Sequence, residues 1–131
     1  MADSILVEAR IKAGERVIGR LDKANFPVTA AFWYLDDEEG DWRLVIASPV
    51  VDMQGPKAAY SLIHRAQKAG LRLAILSVNE IKAVGVRDPI VRLLSSAIAT
   101  GPGIVGIRFS KNVINGTYIE DAYIYRLADA A

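Results

Sequence analysis

Apolar positions recur along the chain with two different periods, and the switches between them outline the elements. From about Ser4 to Asn25, Ile5, Ala9, Ala13 and Val17 recur at helical spacing with Leu6 and Leu21 beside them. Arg10, Lys12, Arg16, Arg20 and Lys23 alternate there with acids, so the pattern predicts a first, amphipathic helix. Asp3 or Ser4 can cap its start, and Asn25 and Pro27 end it. Gly14 and Gly19 each weaken it by roughly 1 kcal/mol relative to alanine.

The period then changes to two. Val28 to Leu35 and Trp42 to Ser48 are β-rich, and the tip Asp36-Asp37-Glu38-Glu39-Gly40-Asp41 joins them as a hairpin. Both faces are apolar, with Val28, Ala30 and Phe32 on one side and Ala31, Trp33 and Leu35 on the other. Such strands belong inside a sheet covered on two sides. Gly55-Pro56 opens a second helix, with proline where its missing N–H costs least. Ala59, Leu62, Ile63 and Ala66 form its core-facing stripe, and Gly70 ends it. Leu71 to Val78 reads as a buried strand. Asp88-Pro89 starts a third helix that runs to Thr100 and stops at Gly101.

Asn115-Gly116 is a preferred two-residue type I′ turn between β-rich flanks. Closing the chain there pairs Ile114 with Thr117, Val113 with Tyr118, Lys111 with Glu120 and Ile107 with Ile124, and the opposite charges at 111 and 120 support the register. The order is αββαβαββ: an α/β fold of mixed α+β character, one domain over 1–131, with helices packed on a mixed five-stranded sheet.

Composition narrows the class. At 131 residues the chain can close a core without staples, and 52% hydrophobic residues exclude disorder. Zero cysteines exclude disulfides, thiolate metal sites and a cysteine nucleophile. Asp3, Glu8 and Arg10 interrupt what would be a secretory leader. The longest uncharged apolar run is broken by Gly101-Pro102-Gly103, so it cannot span a membrane as a helix. A cytoplasmic location follows by default, and abundant alanine and arginine with fewer lysines suggest a bacterial source.

The net charge of +1 hides segregation. Residues 34–52 carry Asp36, Asp37, Glu38, Glu39, Asp41 and Asp52 against Arg43 alone, a net −5. Residues 53–119 carry Lys57, Arg65, Lys68, Arg72, Lys82, Arg87, Arg92, Arg108 and Lys111 against Glu80 and Asp88, a net +7. If the fold keeps the two apart, the surface is polarised.

No motif carries catalysis by itself. Residues 101–106 spell G-x-G-x-x-G, but they follow a helix and precede a strand, the reverse of what phosphate binding needs. Glu80-Ile81-Lys82 is the E-x-K half of a metal-dependent nuclease signature with Asp52 as its partner acid, yet a helix intervenes and the segment reads as a short polar connection. The acidic tip lacks the ligand spacing of a calcium loop and reads as a solvated hairpin end. No cofactor and no metal are implied. His64, the single histidine, lies on the second helix with Lys57, Ser61 and Lys68 on the face opposite the apolar stripe, with Tyr60 and Arg65 beside it. No acid occurs between Met53 and Asn79 to orient the ring or pair the lysines, which leaves a basic patch for phosphate or an acidic partner.

The final hairpin offers a second patch. Arg108, Ser110 and Asn112 lie opposite Tyr123, Asp121 and Ile119, with Tyr125 further along. Arginine and tyrosine are enriched at interface hot spots, while an Arg108–Asp121 pair on a wet edge is the plainer reading. Ile90, Val91, Leu93, Leu94, Ala97 and Ile98 leave only Arg92, Ser95 and Ser96 for water on the third helix, which points to a homo-oligomer. The leading expectation is a non-enzymatic module that binds a protein partner through the hairpin face or the basic second helix. Nucleic-acid binding through 53–119 is the alternative, and an enzyme using Asp52, Glu80, Arg108 or Asp121 is a third.

Overall fold

The computed structural model describes residues 6, 8–35, 40–68, 76 and 79–128. In chain order these form α1 (Glu8–Lys23), β1 (Ala30–Leu35), β2 (Trp42–Ala47), α2 (Pro49–Gln54), α3 (Pro56–Lys68), β3 (Ile81–Val84), α4 (Pro89–Ser95), β4 (Ile107–Ile114) and β5 (Thr117–Leu127). The five strands make one mixed sheet in the order β3-β2-β1-β5-β4. Only β2 and β3 pair in parallel; the other three pairings are antiparallel. The αββαβαββ order therefore holds, with the helical segment after β2 divided in two.

The division has a local cause. Ser48, fully buried, caps α2 by accepting the Val50 N–H at 3.1 Å, and Pro49 fills the first helical position. Gly55, at φ 91, ends α2 by donating to the Val51 carbonyl, and Pro56 starts α3 at once. A bare Cα suits that dihedral.

Two apolar layers flank the sheet. On one face, Ala31, Trp33, Leu35, Leu44, Ile46 and Ile81 meet Ala13, Val17 and Leu21 of α1 and Ala59, Ile63 and Ala66 of α3. On the other, Ala30, Phe32, Val45, Ile124 and Leu127 meet Val91 and Leu94 of α4. Both faces of β1 and β2 are thus covered, as their unbroken apolar runs require. Val28 departs from the alternation: it precedes the strand and buries with Trp33, not with Phe32.

The terminal hairpin has the predicted register, with Ile114 opposite Thr117, Val113 opposite Tyr118 and Ile107 opposite Ile124. Asn115 and Gly116 take φ 49 and 82, the signs a type I′ turn needs. The expected Lys111–Glu120 pair is the exception: Lys111 has positive φ, at 48, and stands outside the paired residues of the ladder.

Several boundaries differ from the sequence reading. The third strand is Ile81–Val84, within and beyond the segment read as a polar connection. Its Ile81, Ala83 and Val84 are buried while Lys82 is exposed, and the charged neighbours mask so short a strand. The Leu71 to Val78 strand lies outside the described residues except for Leu76, which is buried but not in a strand. So do the Asp3 or Ser4 cap and the acids at 36–39. The last helix ends at Ser95 and not at Thr100. Thr100 is drawn to β5 instead: its N–H donates to the Leu127 carbonyl, and its hydroxyl accepts the Leu127 N–H, both at 2.9 Å.

Candidate functional site

Helix α3 is anchored on its inner side, which fixes what it presents outward. Tyr60 donates its hydroxyl proton to the Ile81 carbonyl at 3.3 Å and accepts the Ala83 N–H at 3.0 Å, so it ties the helix to the outer edge of β3. That use commits the Tyr60 hydroxyl to the sheet and not to the basic patch beside it. Gln67, buried, exchanges two hydrogen bonds with the Leu76 backbone, and its own carbonyl accepts from Arg20 at 3.0 Å. Ala59, Ile63 and Ala66 close the apolar side.

With those groups facing inward, Lys57, Ser61, His64, Arg65 and Lys68 are all exposed. At about 100° per residue, Lys57, His64 and Lys68 fall within about 40° of one another. Arg65 lies about 60° further round, and Leu62 about 60° beyond it. No acid occurs on α3, and none of the four basic residues forms an ion pair among the described residues.

Beside Leu62 the surface falls into a groove of about 600 Å³. Phe26, Pro27, Val50, Leu62 and Ala66 supply its apolar lining. Asn25 and Gln54 add amides, and among the described residues Arg65 is the single charged one. The groove owes its shape to the end of α1. Phe26 N–H reaches the Leu21 carbonyl at 2.9 Å and Asn25 N–H the Asp22 carbonyl at 3.1 Å, with Asn25 at φ 62. This is a Schellman ending, and it turns the chain sharply enough to bring Phe26 back against the body. Sequence reasoning took Asn25 and Pro27 only as a stop signal, so the groove went unseen.

The hairpin patch is built differently. Arg108 Nε and Nη2 donate to the two carboxylate oxygens of Asp121 at 2.7 and 2.6 Å. The guanidinium lies 5.9 Å from the Trp42 ring centre, a cation–π distance. The hydrogen bonds to Asp121 hold Arg108 above its ordinary pKa. Ser110, exposed, stands opposite Asp121. Tyr123 is half-buried opposite Arg108 and meets Tyr125 edge-on, ring centres 5.4 Å apart.

Tyr125 and Ile119 do not belong to the patch. Tyr125 is 1% exposed, accepts from Trp33 Nε1 at 3.1 Å and donates to the Ile11 carbonyl. Burial pushes its hydroxyl well above the usual phenol range. Ile119 is fully buried in the second apolar layer. Sequence reasoning paired Val113 with Tyr118 but did not single them out as a surface; they are left 57% and 46% exposed at the hairpin tip. Alternation alone had not marked them as outward.

The remaining candidates disperse. Asp52 accepts the Val86 N–H at 3.0 Å, Glu80 pairs with Arg10 at 3.2 Å, and Asp121 is held by Arg108. The Gly101 to Gly106 stretch is an exposed loop whose Val105 N–H is bonded to the Tyr125 carbonyl at 2.8 Å. Among the described residues no group of three or more His, Asp or Glu side chains could hold a metal, and no helix is long and apolar enough to cross a membrane. On α4 and the turn that follows it, Val91 and Leu94 are buried, Ile90, Leu93 and Ile98 are partly buried, and Arg92, Ser95, Ser96 and Ala97 are exposed.

The chain matches no protein-family model, no curated protein sequence and no solved structure.

Proposed function

We propose that this protein is a cytoplasmic, non-enzymatic interaction module that recognises an acidic segment of a protein partner through the outward face of α3. The observation that carries the reading is the set Lys57, His64, Arg65 and Lys68, exposed on one side of one helix with no ion pair among the described residues. Lys57, Arg65 and Lys68, with no such pairing among the described residues, keep their full attraction for an incoming carboxylate, whereas the Arg108 fork is already committed to Asp121. An exposed contact of this kind is worth about 1 kcal/mol in water, so binding must draw on several at once and must weaken with salt.

The nucleic-acid alternative is less well supported. Arg92 sits on α4 and Arg108 on β4, while α3 packs on the opposite sheet face from α4. The basic excess of 53–119 is therefore not gathered into one stripe. Self-association through α4 is proposed as a second property, favoured by its half-exposed Ile90 and Leu93 together with exposed Ile104 and Val105. A monomeric mass by light scattering at micromolar concentration would remove it.

The test of the main reading is anisotropy of a labelled, blocked hexaglutamate peptide. Lys57→Glu with Lys68→Glu should abolish binding, and Arg108→Ala with Tyr123→Ala should leave it unchanged. Undiminished binding by the charge-reversed protein would refute the α3 reading. Tighter binding of duplex DNA than of the peptide would favour nucleic acid.

A further inference from the structure

We infer that the groove beside α3 is an anchor pocket for one apolar side chain of the acidic segment, so that the ligand class is a short peptide combining an aromatic or aliphatic residue with flanking carboxylates. The inference rests on the α3 reading and adds to it the partner's chemistry.

Three observations converge. The groove opens on the same helix that carries the basic face, and Arg65 belongs to both, lying between the Lys57–His64–Lys68 stripe and Leu62. Its described lining is apolar except for two amides and that one cation. Asn25 and Gln54 can meet a backbone C=O or N–H beside the anchor, and Arg65 can meet a carboxylate next to it. About 600 Å³ falls within the range of pockets that take small ligands, and it is short for the i, i+3, i+7 face of a docked helix. A single large side chain with its neighbouring backbone suits that space.

Charge complementarity selects the flanks. Among the described residues no acid lines the groove, and the nearest acids along its elements have other partners: Asp22 the Arg126 guanidinium, Asp52 the Val86 N–H. A carboxylate arriving beside Arg65 therefore meets no anion in the described lining of the groove. Burying an aromatic anchor is worth about a tenfold gain in affinity or more.

The experiment uses the full chain and three labelled, blocked nonapeptides: tryptophan flanked by glutamates, alanine flanked by glutamates, and tryptophan flanked by glutamines. The first should bind at least about tenfold tighter than either of the others. Ala24→Trp, which fills the mouth from an exposed lining position, and Leu62→Gln, which makes the wall polar without adding charge, should each erase the tryptophan advantage while leaving the alanine peptide unaffected. Both variants must keep the wild-type unfolding midpoint to count. Equal binding of the tryptophan and alanine peptides would overturn the anchor pocket yet leave the basic-face reading standing. Equal binding of the glutamate and glutamine peptides would overturn the acidic ligand class. No binding of any peptide at low salt would overturn both.

Discussion

Replacing Gly14 by alanine sets two effects of known size against each other. Alanine is favoured over glycine in a helix interior by about 1 kcal/mol, and the same gain is offered at Gly19, five positions along the same helix. The surroundings differ. A methyl group at Gly19 would meet nothing within 4 Å. At Gly14 it would lie 2.6 Å from the Tyr125 hydroxyl and 2.8 Å from Trp33 Nε1, closer than real Cβ contacts come. Neither ring can retreat cheaply, since Tyr125 is 1% exposed and Trp33 is fully buried. Overpacking of this kind costs about 1–3 kcal/mol, and pulling Tyr125 off Trp33 or Ile11 strands a buried polar group at about 1–3 kcal/mol more. The clash outweighs the propensity gain, for a net loss of about 2 kcal/mol. Urea unfolding followed by tryptophan emission reads this directly. With a slope of roughly 1–3 kcal/mol per molar, Gly14→Ala should lower the midpoint by about 1 M, and Gly19→Ala should raise it by a few tenths. In a Tyr125→Phe background the nearest clashing atom is gone, so Gly14→Ala should cost about 1 kcal/mol less. If both glycine variants move the midpoint the same way, the close packing of α1 on Trp33 and Tyr125 is wrong.

Two further predictions concern buried polar groups of β5. Arg126, its side chain 5% exposed, donates to both Asp22 carboxylate oxygens at 3.1 and 2.8 Å and to the carbonyls of Val28 and Gly103 at 3.0 and 3.2 Å. Asp22→Ala leaves that guanidinium buried without its counterion; because Asp22 is 41% exposed and water can partly replace it, the loss should be about 2 kcal/mol in urea, below the 3–5 of a fully buried pair. A change under about 0.5 kcal/mol would contradict the clamp. Tyr125 gives a pH effect: its folded pKa is raised, chiefly by burial, above the ordinary 10.0. The unfolded chain therefore releases this proton first, and the stability present below about pH 10 declines as pH rises beyond it. The urea midpoint should fall between about pH 9 and about pH 11, less steeply in Tyr125→Phe; identical slopes would show that Tyr125 is not the group responsible.

What the chain determined by itself was what neighbours in sequence can decide. Asn115-Gly116 can take two positive φ values, so the hairpin register followed from two residues. The alternation through β1 and β2 is apolar on both sides, so a sheet covered twice followed as well. The 3.6-residue period of α3 separated Ala59, Ile63 and Ala66 from Lys57, His64 and Lys68, so the basic face of the candidate site was legible too. Tertiary structure decided the rest, because the deciding contacts join residues far apart in the chain. Tyr125 read as a surface residue until Trp33, 92 positions away, took its hydroxyl. Arg126 carried no signal until Asp22, 104 positions away, met it. Gly14 and Gly19 are equivalent to a helix propensity and opposite to a packed core. The groove exists only where the turned end of α1 meets α2 and α3, a concavity with no periodicity of its own, and it takes packing of all three to form it.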